Sequence, residues 1–303
     1  MFPWVLLVRD DGFMSTSMYI ERALQKECNL ISIRLSDETY SILRWAINKL
    51  REKTLDVLLN KIFQLEVKPP LPHVDLILVV DPVRRKLDFS HLHVKTAYYA
   101  IDTHTAFQEH IRFANVMDYD YVFVAQKDHV SKYVEAGCDK VYWLPLACDP
   151  EIHRRHLLPM KYDLSFVGKI WRNRERITKE LGENFKMFVG RAYLHDMATI
   201  YSQSKMVLNI SYRGDLNMRI FEVMSCGRLL LTNRIQNGLE ELFKNGKHLV
   251  VYEDMKDLFE KIRYYLKEEK EREKIALSGQ KEVRAKHTYR HRVKKILDLT
   301  VGR

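Results

Sequence analysis

The 303-residue chain is 46% hydrophobic and 30% charged. That is a globular composition, long enough for two modest cores, since domains usually run about 100–150 residues. No stretch approaches the roughly 20 apolar residues of a spanning helix, and the opening MFPWVLLVRDD lacks the basic leader and small-residue cleavage site of a signal peptide. The net charge of +10 bears on partners rather than fold: a phosphate-bearing substrate, an anionic membrane face or nucleic acid, with an ordinary basic enzyme as the plain alternative.

In chain order, Trp4–Val8 reads as a buried first strand, Ser15–Glu27 as a helix and Leu30–Leu35 as a second strand. A longer helical region spans about residues 40–66. Pro69, Pro70 and Pro72 end it because proline cannot continue the helix hydrogen bonds. Strand-like Val74–Val80, Lys95–Ala100, Tyr121–Val124 and Lys140–Trp143 follow, with helices near Ala106–Asn115 and Asp128–Ala136. Short, nearly continuous apolar strands between helices are what a parallel sheet covered on both faces produces. The polar segment from Pro145 to Met160, with Pro150 and Pro159, breaks this rhythm and places a domain junction there. Tyr162–Val167 restarts it, followed by strands Phe185–Val189, Met206–Ile210, Leu229–Thr232 and His248–Val251. Helices fall at Asn173–Leu181, Leu194–Ser202, Met218–Ser225, Gly238–Phe243 and Met255–Ile275, the last with room for a break. In the basic tail, Val293, Ile296, Leu297 and Thr300 form one apolar stripe, which favours a packed helix over a free nucleic-acid arm. The reading is α/β: residues 1–155 one Rossmann-like domain on the acceptor side, 156–285 a second that binds nucleotide, and 286–303 a terminal helix returning to the first.

In open parallel sheets, ligands bind beyond the carboxyl ends of the strands. The strand DLSFV ends in Gly168, followed by Lys169, Arg172, Arg174 and Arg176. A glycine admits close backbone approach, and guanidinium groups meet diphosphate oxygens; Lys169 and Arg174 are the phosphate candidates, a solvated helix face the alternative. The segment SYRGDLNMRIFEVMSCG is the most informative. Asn217 is a candidate N-cap, the amides that follow it, from Met218 on, can receive phosphate, Arg219 adds positive charge, and Glu222 one turn on can accept from both ribose hydroxyls. The plain alternative makes Asn217 a structural cap and Glu222 a surface residue. Gly238 is a further point of close backbone approach to ligand, with the amides of Leu239 and Glu240 opening a helix. In the first domain, Asp10, Asp11 and Gly12 follow the first strand and Ser15 can cap the next helix, a loop placed to seat sugar or acceptor. YYAIDTHTAF sets Asp102 and His104 at another strand end, either one a candidate general base on an acceptor hydroxyl.

Several chemistries find no support. There is no GxGxxG and no GxxxxGK[ST], against nicotinamide, flavin and kinase readings. Cys28, Cys138, Cys148 and Cys226 form no CxxC pair or finger-like set with histidine, so reduced thiols of a cytosolic protein are the simplest account.

Taken together, FVGKIWRNRERI, SKMVLNISYRGDLNMRIFEVMSCGRLLLTNRIQNGLEELFKNGKHLVVYED and HTYRHRVKKIL resemble the CgeB-like group of glycosyltransferases, over roughly Tyr162–Leu297. The resemblance implies a GT-B fold, nucleotide mainly in the C-terminal domain, Glu222 on the ribose, Asn217 and Arg219 near the diphosphate, and no catalytic metal. It implies no cofactor beyond the donor, a nucleotide-diphosphate sugar, with a UDP-sugar preferred. The related retaining group often carries a second glutamate eight positions earlier; here that position is Gly214, beside Asp215, so the expectation leans towards inversion. The expected location is cytoplasmic, with peripheral contact at the inner face of a membrane. Polysaccharide, glycolipid, protein and nucleic acid stay open as acceptors, as does the oligomeric state. The rival readings are an epimerase or phosphorylase with a similar site, a non-catalytic nucleotide-sugar or carbohydrate-binding protein, and a nucleic-acid-binding protein.

Overall fold

A computed structural model describes residues 2–10, 16–36, 40–41, 73–80, 87, 89, 92–112, 115–171 and 173–302. Most of the expected helix at 40–66, the prolines that end it, and Asp11, Gly12, Ser15 and Arg172 lie outside the described residues. The chain divides into two compact units, Met1–Pro145 with Arg292–Arg303, and Leu146–His291.

The first unit holds six parallel strands: β1 (Trp4–Asp10), β2 (Asn29–Leu35), β3 (Leu76–Val80), β4 (Lys95–Ala100), β5 (Tyr121–Val124) and β6 (Val141–Trp143), in the order β2-β1-β3-β4-β5-β6. All five residues of β3, LILVV, are buried, as a strand covered on both faces requires. Helices α1 (Thr16–Leu24), α2 (Thr103–Arg112) and α3 (Val130–Glu135) connect the strands. At the end of β1 the buried guanidinium of Arg9 is answered by Glu21 of α1 at 2.8 Å. The chain's last residues also belong here. Arg292 Nε donates to the Pro145 carbonyl at 2.6 Å and Lys95 Nζ to the Thr300 carbonyl at 2.7 Å. Val293, Ile296, Leu297 and Thr300 are all buried, so the apolar stripe is core.

The second unit has five parallel strands, β7 (Tyr162–Val167), β8 (Met187–Gly190), β9 (Ser204–Asn209), β10 (Leu229–Asn233) and β11 (Val250–Tyr252), ordered β11-β10-β9-β7-β8. The chain steps from β7 to β8, then crosses back past β7 to β9 and continues away. The direction therefore reverses between β7 and β9, and the carboxyl ends of those two strands flank the crevice where such sheets bind ligand. Helix α4 (Asn173–Gly182) follows β7, α5 (Leu194–Ser202) precedes β9, α6 (Met218–Ser225) leaves β9 and the short α7 (Leu239–Leu242) follows β10. Leu164, Phe166, Leu181, Leu208, Leu258 and Ile262 are central to its core.

Residues 146–155 lie in this second unit. The Cys148 amide donates to His287 O at 3.1 Å, and the Tyr289 amide donates back to Cys148 O at 2.9 Å. The long helical stretch after β11 is two helices, α8 (Met255–Lys267) and α9 (Glu269–Lys286). Glu268 leaves the helical conformation (ψ 68°), and Arg272 Nη1 satisfies the freed Tyr265 carbonyl at 2.7 Å. The last helix is α10 (Tyr289–Thr300).

Gly279 sits inside α9 against the backbone of the segment entering β11: a Cβ built there runs into the His248 carbonyl oxygen. Alanine inside a helix ordinarily gains about 0.5–1 kcal/mol over glycine. Gly279→Ala is instead expected to destabilise by about 1–3 kcal/mol, as overpacking does. Urea unfolding checks it, and a raised midpoint would show that α9 can withdraw from His248.

Candidate functional site

Arg219, the second residue of α6, occupies the point where the second sheet reverses. Its Nε donates to the Val167 carbonyl at the end of β7, and its Nη1 donates to Asn209 Oδ1 at the end of β9, each at 2.8 Å. Its guanidinium also lies 4.7 Å from the centre of the Phe166 ring. Gly168 is a glycine because of this group: a Cβ there would run into Arg219 Nη2. The close approach foreseen at Gly168 is thus made, in the protein itself, by Arg219. From α4, Arg174 donates through Nε (3.1 Å) and Nη2 (2.8 Å) to the carbonyl of Ile210, just past β9. Burial and the neighbouring charge of Arg219 pull the Arg174 guanidinium below its ordinary range, with Asp215 opposing. Two cations held together against their repulsion, at the crevice of an open sheet, make a site for an anion.

The loop from β9 to α6 is shaped by Asp215. Its Oδ1 accepts from the Tyr212 amide (2.6 Å), Ser211 Oγ (2.7 Å) and Asn217 Nδ2 (3.4 Å). Asn217 stands at the N-cap position of α6, yet its side chain makes no capping bond. This corrects the expected cap: the amide is turned towards Asp215, and Asn217 Oδ1 is buried with no partner among the described residues. The first-turn amides of α6 are therefore not claimed by that side chain and keep the dipole end of the helix open to an anion. Met218, which opens the helix, accepts from the Tyr289 hydroxyl through its sulfur at 2.9 Å.

Glu222 is not a surface residue. It is 4% exposed, and it accepts no hydrogen bond from any described residue. His153 Nε2 stands 3.6 Å from Oε1. Burial pushes the Glu222 carboxyl up to about 7, with Arg219 opposing. The His153 ring is itself fully buried; burial brings it down to about 4, with Asp149 opposing and His195 adding to the fall. The hydroxyl of Tyr201, also buried, lies within the fields of Glu222 and Arg219. A carboxylate taken from water without hydrogen bonds is unfavourable, and Glu222 keeps acceptor capacity that hydroxyl groups can fill.

The remaining sequence candidates are dispersed. Lys169 is exposed, its ammonium 5.7 Å from the Trp171 ring centre. Gly238 is left-handed (φ 81°) at the start of α7, and Leu239 is buried in the core. Asp102 and His104 belong to the first unit, at the end of β4 and the first turn of α2. Asp102 is exposed and its carbonyl receives the Thr105 and Ala106 amides. Gly12 lies outside the described residues; its neighbour Asp10 accepts from Ser17 Oγ at 2.7 Å. Beside Arg174 and Ile210, a cavity of about 450 Å³ opens at the ends of β9, β10 and β11, walled by Trp171, Tyr212, Asn233, Tyr252 and Met255. His153, Tyr201 and Asn209 had not been singled out. Asn209 carried a usable signal, a polar residue closing an apolar strand; His153 lay inside the segment taken for a junction. Among the described residues no group of three or more His, Cys, Asp and Glu can hold a metal ion, and no helix is long and apolar enough to cross a membrane.

Residues 153–298 match the family described as "Glycosyl transferase-like". No curated protein matches the chain. Among solved structures, HepE of Anabaena in complex with UDP and glucose is similar with a TM-score of 0.66 at 10% identity, covering 99% of this chain and 100% of that one. A glycosyltransferase from Rickettsia africae gives 0.62 at 12% identity, covering 99% and 98%. The sucrose-phosphate synthase of Thermosynechococcus elongatus gives 0.61 at 10%, covering 98% of each. At such identities the likeness carries the fold: two parallel-sheet Rossmann-like domains, the GT-B fold.

Glu222 holds its proton more tightly in the fold, at about 7, than at its ordinary value of 4.5. Its ionisation therefore works against folding: nothing is lost below 4.5, the loss grows with pH, and it is complete above about 7. Glu222→Gln is expected to raise the melting temperature of the ligand-free protein at about pH 8, by roughly 2–4 °C for each kcal/mol recovered, and to leave it unchanged at about pH 4. An equal effect at both pH values, read by calorimetry, would mean that the carboxyl is not desolvated.

Proposed function

We propose that the protein is a glycosyltransferase that moves a sugar from a nucleotide-diphosphate sugar to a hydroxyl acceptor. The observation that carries this reading is the buried carboxylate of Glu222, which receives no hydrogen bond from the described residues, one turn beyond a helix N-terminus at the reversal point of a parallel sheet. A ribose diol supplies the two donors that Glu222 lacks. The diphosphate then falls at the start of α6, where Arg219 and Arg174 concentrate positive charge. The same groups stabilise the nucleotide diphosphate as it departs, which is where negative charge develops in the transfer.

A UDP-sugar is the preferred donor, in keeping with the similar HepE structures that contain UDP or UDP-glucose. In the finer reading the chain is a CgeB-like enzyme of the cytoplasm, working at the inner face of a membrane, with the first unit on the acceptor side. Asp102 or His104 acts as general base on the acceptor hydroxyl. Inversion is favoured because Gly214 stands where retaining relatives carry a glutamate, while the carboxylate of the adjacent Asp215 is committed to the loop.

Calorimetric titration against UDP-, GDP-, ADP-, CMP- and dTDP-linked sugars tests the reading, with a UDP-sugar expected to bind. Glu222→Ala is expected to weaken that binding by about tenfold or more, the loss of hydrogen bonds to a charged group. No binding of any donor by the wild type would overturn the proposal. Binding without sugar transfer to any acceptor would leave a binding protein instead.

Because the ribose hydroxyls donate to the charged carboxylate, donor affinity should rise as pH passes up through about 7 and fall below it. Affinity flat across that range removes Glu222 from the ribose. Asp102→Asn and His104→Ala should preserve donor binding; the one that slows transfer by about a hundredfold or more identifies the base.

A further inference from the structure

Glu222 has one polar neighbour besides Arg219, Tyr201 and Cys226: the imidazole of His153. That ring is fastened from two sides. Residues 149–153 form a closed turn in which the Asp149 carbonyl accepts the Ile152 and His153 amides at 3.1 and 2.7 Å, and Asp149 Oδ1 accepts the Glu151 amide at 3.0 Å. The Asp149 amide in turn donates to His153 Nδ1 at 3.0 Å. A ring nitrogen that accepts a hydrogen bond carries no proton, so the neutral imidazole holds its proton on Nε2. Nε2 is the atom 3.6 Å from Glu222 Oε1. The backbone is tied to the same helix: the His153 carbonyl accepts from Ser225 Oγ at 2.6 Å, one turn beyond Glu222.

We propose that His153 is the positioning residue of the nucleotide site, its Nε2–H aimed at Glu222 Oε1 by the Asp149 amide so that the carboxylate keeps one orientation towards the ribose hydroxyls. The proposal rests on the reading of Glu222 as the ribose-binding group. Neutrality suits the task. An imidazolium would hold Glu222 in an ion pair and compete with the ligand, whereas a single neutral N–H orients one oxygen and leaves the remaining acceptor sites for the diol. Among the described residues, Asp149 favours its protonation, burial and His195 oppose it, and Glu222 faces its Nε2.

The test compares UDP with 2′-deoxy-UDP in wild type, His153→Leu and His153→Gln. Glutamine is the conservative variant, because its carbonyl can accept from Asp149 while its amide donates to Glu222. The wild type is expected to prefer UDP. In His153→Leu, UDP affinity should drop by about tenfold while 2′-deoxy-UDP affinity stays within about threefold, and glutamine should restore the preference. Equal loss for both ligands, or an unchanged preference, would overturn the proposal.

A wild type indifferent to the 2′-hydroxyl would overturn the ribose role of Glu222 instead. In that case the ligand-free protein decides on His153. The Glu222 carboxyl, followed by carbon-13 NMR, should titrate at higher pH in His153→Leu and return towards the wild-type value in His153→Gln. No movement would sink the positioning role. If the leucine variant does not fold, His153→Asn, whose amide is too short to reach Glu222, takes its place in both measurements.

Discussion

The guanidinium of Arg219 on the ends of β7 and β9 is the interaction around which the second domain's site is arranged. At the reversal point two strands send their connections to opposite faces of the sheet, and a crevice opens between them. Arg219 spans it, one nitrogen on the Val167 carbonyl and another on Asn209. This has a steric consequence at Gly168, where no side chain fits. It also has an electrostatic one: positive charge is planted at the crevice and doubled by Arg174 on the Ile210 carbonyl. Two sequence-distant segments, residues 167–174 and 209–219, are thereby tied together.

Glu222 shows the opposite balance. Packing places its carboxyl out of water without a hydrogen bond from any described residue, which raises its proton affinity and subtracts from stability near neutral pH. Binding sites often carry such local conflict, because a group already satisfied by the protein has nothing to offer a ligand. Here the conflict is tempered by Arg219 on the same helix, and the His153 ring stands 3.6 Å away. The chain obtains the latter from residues 146–155, which run across the second unit and pair Cys148 with residues 287–289 before α10 departs. The segment that reads as a polar junction thus brings His153 beside Glu222.

Much of the fold was legible in local pattern. The bounds of β4, β5, β7, α5 and α6 coincide with those read from apolar runs and helix periodicity, and the apolar stripe of the tail is buried as its spacing implies. A break in the long helical stretch was allowed for, but its position after Lys267 was not legible, because it depends on Arg272 reaching back to the Tyr265 carbonyl rather than on a proline or glycine. Gly168 was marked as a point where a diphosphate could approach the backbone; the group found beside it is Arg219, fifty-one positions later, which no local pattern shows.

The sequence by itself determined where strands and helices lie, that they form parallel sheets, and which strand ends carry Arg174, Arg219 and Glu222. These are matters of period and local conformation, and each is written within a few consecutive residues. Only the tertiary structure decided that Asn217 turns from its helix to Asp215, that Glu222 is buried rather than exposed, and that His153 faces it across sixty-nine residues of chain. Desolvation and hydrogen-bond pairing depend on what packs around a group, and those neighbours come from every part of the domain.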